Sequence, residues 1–101
     1  MRILKKTNKY KKSLQKLFKD STFGKKVKQC IDDVESQILS GQIDDKYDNH
    51  SLVKNKAKKW GVHLCGKKIV LMYSFTSTEV LLEDIGTHKD VLNIENYNII
   101  K

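Results

Sequence analysis

The sequence predicts an α+β fold in which an N-terminal helical hairpin packs on a small, twisted antiparallel β-sheet. Two observations lead to this class. Apolar residues recur at helical spacing as far as Ile38, and from Lys56 the pattern changes to the period-two alternation of strands. The chain has 101 residues with no proline and no internal repeat, so we expect a single domain spanning residues 1–101.

The first part of the chain predicts two helices after a short strand at residues 2–4. Thr7 or Asn8 can cap the first helix. Its apolar stripe consists of Tyr10, Leu14, Leu17 and Phe18. The stripe of the second helix consists of Val27, Ile31, Val34 and Ile38. Gly41 supplies the stop signal of the second helix.

The later part predicts a meander of three antiparallel strands. In its first strand, one face carries Trp60, Val62 and Leu64, and the other carries Lys59, Gly61, His63 and Cys65. A turn at Gly66 leads to the runs IVLMYSF and VLLEDI, which form the next two strands. We expect one face of the meander to take the helices and the other to meet solvent or a ligand. Residues 93–101 fit either a short helix or a strand.

The net charge of +8 is unevenly distributed. Residues 1–28 contain eleven Lys and Arg side chains and one acid, and residues 54–68 contain six lysines and no acid. An acidic segment, residues 29–53, separates these blocks. The pattern indicates a surface for a polyanion, although solvated helix surface also explains the first block.

The composition excludes several classes of protein. No apolar run approaches the roughly 20 residues that a membrane-spanning helix requires, and the N-terminus lacks the apolar segment of a signal peptide. Cys30 and Cys65 show no zinc-site spacing, so we expect two reduced thiols. These features predict a cytoplasmic protein that uses no metal or other cofactor.

Three histidines are the candidates for chemistry: His50, His63 and His88. They lie before the meander, in its first strand and after its last strand, so they could converge at one edge of the face turned away from the helices. Lysines that could bind phosphate there are Lys59, Lys67 and Lys68. Such a set suits metal-free RNA cleavage, in which a base deprotonates the 2′-hydroxyl and an acid protonates the 5′-oxygen. A surface or hydrogen-bonded structural role remains the alternative for each histidine.

Residues 48–92 resemble the YafQ family of bacterial toxins within the RelE/ParE superfamily. Three landmarks in order carry the resemblance. The loop Asn49-His50-Ser51-Leu52 is similar to the family's DH-x-L motif, and His63 follows thirteen residues after His50. The third landmark is an apolar strand ending in Tyr73, followed by a last strand that closes in G-[TS]-H, here Gly86-Thr87-His88.

The resemblance implies a RelE-like fold and a ribosome-dependent endoribonuclease that cleaves mRNA and is neutralised by an acidic antitoxin encoded beside it. By position, all three histidines match the active-site histidines of the family. His88 matches the proposed proton donor, which leaves His50 or His63 as the base or transition-state stabiliser. The candidate RNA contacts are Lys59, Lys67, Lys68 and Thr87.

Three positions depart from the family pattern. The family's H-x-x-P-D-W turn is HLCGKK here, which puts Lys67 and Lys68 where a candidate base would stand. Asp84 replaces an arginine that often precedes G-[TS]-H, and Leu92 replaces an aromatic residue. Two alternatives therefore stay open: a non-enzymatic ParE-like toxin that inhibits DNA gyrase, and a catalytically weak RNA-binding or ribosome-binding module.

Overall fold

The computed structural model describes residues 2–51, 59–66, 68–87 and 91. In chain order the elements are β1 (Ile3–Lys6), α1 (Asn8–Phe18), α2 (Gly24–Ser40), a 3₁₀ helix (Asp45–Tyr47), β2 (His50–Ser51), β3 (Trp60–Leu64), β4 (Ile69–Phe75) and β5 (Glu79–Thr87). The predicted α+β class, with a helical hairpin followed by a three-stranded meander, is confirmed.

The five strands form one sheet in the order β1-β5-β4-β3-β2. The pairs from β2 to β5 are antiparallel, as predicted for the meander. β1 instead pairs in parallel with β5, with Ile3 beside Glu79 and Lys6 beside Leu82. The sheet is therefore mixed, with a parallel edge that the sequence did not predict. Parallel strands need a long connection, and the two helices lie within the connection between β1 and β5.

Local interactions fix where the helices begin and end. The Thr7 hydroxyl accepts a hydrogen bond from the Tyr10 amide at 3.0 Å and donates one to the Glu83 carbonyl at 2.8 Å, so the cap of α1 also fastens the helix to β5. A Cβ atom at Gly24 would lie 2.4 Å from the Phe18 carbonyl oxygen, so only glycine lets α2 start this close to α1. Gly41 ends α2 in the left-handed conformation, with φ 82°.

The main core lies between the helices and one face of the sheet. Both predicted helical stripes contribute to it, and its fully buried members include Tyr10, Val27, Val34, Val62, Leu71, Val80 and Leu82. Val62 and Leu64 of β3 face this core, and Trp60 packs partly buried against it, as the alternation predicts.

The opposite side of β3, β4 and β5 is called the outer face below. It carries Gly61 and His63 of β3 and Val70, Met72 and Ser74 of β4, which alternate with core residues. Of the two surroundings predicted for this face, solvent is wrong at its centre, because Val70 is fully buried and packs with Met72 and Val91, and the ligand stays a prediction.

The structure also corrects the predicted placement of Cys65. β3 ends at Leu64, and Cys65 adopts a left-handed conformation with φ 53°. Its side chain packs against the main core instead of lying on the outer face. Alternation holds only while the backbone stays extended, and here the chain has already entered the predicted turn at Gly66, where φ is 66°.

Candidate active site

His63 lies on the outer face of β3, and a hydrogen bond to the main chain fixes its ring. Its Nδ1 atom is 3.1 Å from the Asp48 carbonyl oxygen. A carbonyl can only accept, so Nδ1 carries the proton and donates it. In the neutral ring the lone pair therefore resides on Nε2, which is the atom able to act as a base. The sequence predicted the face correctly but not the burial, since His63 is only 3% exposed.

The Asp48 carbonyl belongs to a segment, residues 44–51, that is fastened to the body of the protein at several points. At one end, the Asp44 amide donates to Gln37 Oε1 at 2.8 Å and the Tyr47 hydroxyl donates to Asp33 Oδ2 at 2.9 Å. Both acceptors are on α2. The backbone of residue 48 has φ 46°, a left-handed conformation that ends the 3₁₀ helix. This segment is called the anchored loop below.

The other end of the anchored loop is held by the sheet. The hydroxyl of Tyr73 on β4 donates to Asn49 Oδ1 at 2.7 Å. Burial raises the pKa of that hydroxyl to about 12, although the charge of Arg2 acts in the opposite direction. The hydroxyl therefore keeps its proton at neutral pH. The next residue, His50, then pairs with Gly61 of β3.

The strand register brings the end of β5 level with His63. His63 pairs with Val70, and Val70 pairs with Gly86. Adjacent strands are about 4.8 Å apart, so the backbone of Gly86 lies roughly 10 Å from that of His63. Val91 packs against the same Val70 side chain. Gly86 and Val91 thus both lie next to Val70, the residue that pairs with His63.

Lys59 also lies beside the outer face, but its charge is already compensated. Its Nζ atom contacts both carboxylate oxygens of Glu83, at 2.5 Å for Oε2. Ser74 Oγ donates to the same Oε2 atom at 2.6 Å. An RNA phosphate would have to compete with this ion pair for the lysine. Sequence reasoning did not identify Glu83, because the contact joins residues that are far apart in sequence.

The other candidates are placed less completely. The structure describes the backbone of His50 but not its side chain. Lys68 is exposed in the turn after β3, where its amide donates to the Leu64 carbonyl at 3.1 Å. Thr87 is partly buried at the end of β5. His88 and Lys67 lie outside the described residues, so their predicted roles stay predictions.

Thr87 borders a cleft of about 210 Å³ between α1 and the end of β5. Asp84 also borders it, is 3% exposed, and accepts a hydrogen bond from Ser13 Oγ at 2.8 Å. The ammonium of Lys9 is 3.5 Å from the same carboxylate. Asp84 therefore links β5 to α1. The residue that stands here in place of the family's arginine thus has a structural role.

Within the described ranges, no group of three or more His, Cys, Asp or Glu side chains is arranged to hold a metal ion. In the same part of the chain, no helix has both the length and the apolar character needed to cross a membrane.

Two N-terminal helices on a sheet whose last three strands form a meander define the RelE-like class of toxin folds. YafQ from Escherichia coli, solved in complex with DinJ, has a TM-score of 0.72 and 17% identity, covering 90% of this chain and 98% of that one. A copper-bound mutant toxin from Helicobacter pylori has a TM-score of 0.74 and 18% identity, covering 90% and 99%. The archaeal RelE–RelB complex from Pyrococcus horikoshii has a TM-score of 0.51 and 14% identity, covering 85% of this chain and 93% of that one.

The family follows from the sequence itself. The profile of the family described as the bacterial toxin of type II toxin–antitoxin systems, YafQ, matches residues 2–93. The chain therefore belongs to the YafQ family of type II toxins. No curated protein matches it significantly in sequence.

Proposed function

We propose that this toxin cleaves mRNA on the ribosome without a metal ion. The observation that carries the proposal is the orientation of His63, whose Nδ1–H is held by the Asp48 carbonyl. This arrangement leaves the lone pair of the neutral ring on Nε2, as a general base requires. Family membership supports the same reading.

In the proposed reaction, His63 Nε2 takes the proton from a ribose 2′-hydroxyl. The 2′-oxygen attacks the adjacent phosphorus, and the bond from phosphorus to the 5′-oxygen breaks. His88, one residue beyond Thr87, gives a proton to the departing 5′-oxygen. His50 stabilises the charge that builds up on the phosphate. The products are a 2′,3′-cyclic phosphate and a 5′-hydroxyl, so atoms and charge balance.

The burial of His63 supports dependence on the ribosome. Because His63 is only 3% exposed, a ribose can reach its ring only after a local opening of the outer face. Free RNA supplies little binding energy for such an opening, whereas a ribosome contacts a large surface and can supply more. Ribosomes also place the reaction, and thus the protein, in the cytoplasm.

The helices provide a basic surface through which the toxin can attach to the ribosome. Seven lysines of the helical hairpin are exposed and form no ion pair with any described residue: Lys11, Lys12, Lys16, Lys19, Lys25, Lys26 and Lys28. We propose that these lysines bind ribosomal RNA through its phosphates. The β3–β4 turn, with Lys67 and Lys68, would bind the message.

We also propose that an acidic antitoxin encoded beside this gene neutralises the toxin. Two of the related structures are toxin–antitoxin complexes, DinJ–YafQ and RelE–RelB. With a net charge of +8, this chain attracts an acidic partner over a long range. An antitoxin segment lying across the outer face would keep RNA away from His63.

The proposal is tested by incubating purified toxin with ribosome-bound mRNA and with the same mRNA free. Ribosomes need Mg²⁺, so the toxin alone is treated with a metal chelator and freed of it before the reaction, and untreated toxin is assayed beside it. We expect cleavage of the ribosome-bound message, 2′,3′-cyclic phosphate ends, and little cleavage of free RNA. Absence of cleavage on ribosomes, or loss of cleavage by the chelator-treated toxin, would contradict the proposal.

A non-enzymatic toxin is the second candidate, because two observations favour it. His63 is buried and hydrogen-bonded like a structural histidine, and Lys59 is neutralised by Glu83. Pulse labelling of cells that express the toxin separates the classes. An mRNA nuclease stops protein synthesis first, a gyrase inhibitor stops DNA synthesis first, and a ribosome-binding module stops protein synthesis without cleaving message.

A further inference from the structure

Tyr73 contributes a buried hydroxyl to the anchored loop from the neighbouring sheet. The residue is 3% exposed and its ring belongs to the main core. Its hydroxyl reaches Asn49 Oδ1 at 2.7 Å, across 24 positions of sequence. A hydroxyl buried without a partner is costly, so this contact favours a single position of Asn49.

Asn49 lies between the two residues through which the loop meets the candidate site. On one side, the Asp48 carbonyl holds the Nδ1–H of His63. On the other, His50 pairs with Gly61, two residues before His63 on β3. Fixing Asn49 therefore fixes both the acceptor that sets the ring of His63 and the backbone position of His50.

We propose that Tyr73 is a positioning residue for RNA cleavage, acting through Asn49 to hold the Asp48 carbonyl against His63 and to place His50. This inference rests on the proposed nuclease function. Tyr73 does not touch the RNA. Its effect is on the fraction of molecules in which His63 has its proton on Nδ1 and its lone pair on Nε2.

The space around the contact shows what would happen without the hydroxyl. A cavity of about 180 Å³ borders Asn49, Trp60 and Tyr73. When the hydroxyl is removed, Asn49 loses its partner and has room to shift, and the Asp48 carbonyl shifts with it. A displacement of about 1 Å at a catalytic group can reduce a rate roughly a hundredfold.

The test is Tyr73→Phe, which keeps the ring in the core and removes only the hydroxyl. The matched control is Tyr10→Phe. Tyr10 is also buried, at 0% exposure, and its hydroxyl donates to Glu35 at 2.6 Å between the two helices. Both variants lose a buried hydrogen bond, so a rate loss caused by lower stability alone would appear in both.

Two readouts are compared across wild type and both variants. Single-turnover cleavage of ribosome-bound message gives the rate and the half-saturating ribosome concentration. Imidazole nitrogen NMR on the free protein reports which nitrogen of His63 carries the proton. We expect Tyr73→Phe to lower the rate about tenfold or more, to leave half-saturation unchanged, and to add the Nε2–H form of His63. Tyr10→Phe should leave all three unchanged.

The outcomes separate this inference from the proposed function. If wild type does not cleave, the nuclease proposal fails, and a change in the His63 spectrum confined to Tyr73→Phe still supports the positioning contact. An unchanged His63 spectrum in Tyr73→Phe overturns the inference. Where wild type cleaves, an unchanged rate in Tyr73→Phe also overturns it, as does an equal loss in the Tyr10→Phe control.

Discussion

His63 and Lys59 occupy the same side of β3, yet their surroundings give them different chemistry. His63 is oriented by a main-chain carbonyl that leaves the basic nitrogen of its neutral ring at Nε2. Lys59 is held by Glu83, whose carboxylate also accepts a hydrogen bond from Ser74. In this ion pair Lys59 stabilises the sheet, and it can bind a phosphate only after its contact with Glu83 breaks.

Removing the charge of Lys59 should therefore reduce stability. We expect Lys59→Met to lower the free energy of unfolding by about 1–3 kcal/mol, because Glu83 would keep a carboxylate that is only 15% exposed without its cation. Adding Glu83→Gln should restore part of the loss. Urea unfolding of both variants measures the difference. Equal stability of wild type and Lys59→Met would show that the pair contributes nothing to the fold.

Tyr47 and Tyr73 predict a loss of stability in alkali. Burial raises the pKa of each hydroxyl from 10.0 to about 12, with the Asp33 hydrogen bond and charge also acting on Tyr47. The unfolded chain thus releases these protons first, so their contribution is full below about pH 10 and is lost as pH rises towards about 12. Urea unfolding at pH values between about 10 and about 12 measures the free energy of unfolding. This free energy should fall less steeply with pH in the variant that carries both Tyr47→Phe and Tyr73→Phe than in wild type. Both proteins contain the same lysines, so the effect of lysine titration cancels in the comparison. Identical pH slopes in wild type and variant would show that these two tyrosines do not cause the loss of stability.

At the scale of the elements, local patterns predicted the helices and the meander well. The stripes on α1 and α2, the Thr7 cap, the Gly41 stop and the alternation in β3 all depend on neighbouring residues. Contacts between distant segments were not predictable, because periodicity carries no information on pairing partners. They include the parallel edge of β1, the burial of His63 and the Tyr73–Asn49 bond.

The turn between β3 and β4 is the element most suited to a test of RNA binding. Lys68 is exposed there, and Lys67 adjoins it in sequence. If both bind phosphates, Lys67→Ala with Lys68→Ala should weaken RNA or ribosome binding and reduce the salt dependence of log K by about one unit per contact. The matched control is Lys5→Ala, which removes a charge paired with Glu79 at 2.7 Å. An unchanged affinity and salt slope in the double variant would rule out phosphate binding by this turn.

Across the whole molecule, basic side chains are concentrated in two regions, the helical hairpin and the turn after β3. Among the described residues, exposed lysines without an ion pair include those of the helical hairpin and, in the turn after β3, Lys68, and Lys16 borders the same cleft as Thr87. The helical lysines can then attach to a large polyanion while the β3–β4 turn meets the message. The charge blocks in the sequence predicted a polyanion surface, but only the fold shows which lysines are exposed and which are held in ion pairs.

We propose that histidines of this fold cleave RNA by acid–base catalysis, and the variant His88→Ala provides the sharpest test of that claim. Single-turnover cleavage of ribosome-bound mRNA is measured for wild type and variant, with melting curves beside it. We expect cleavage to fall at least about a hundredfold, because a general acid contributes roughly 10²–10⁴-fold, while the melting temperature stays nearly unchanged. Cleavage by the variant at the wild-type rate would contradict the claim, and a large fall in melting temperature would assign His88 to packing instead.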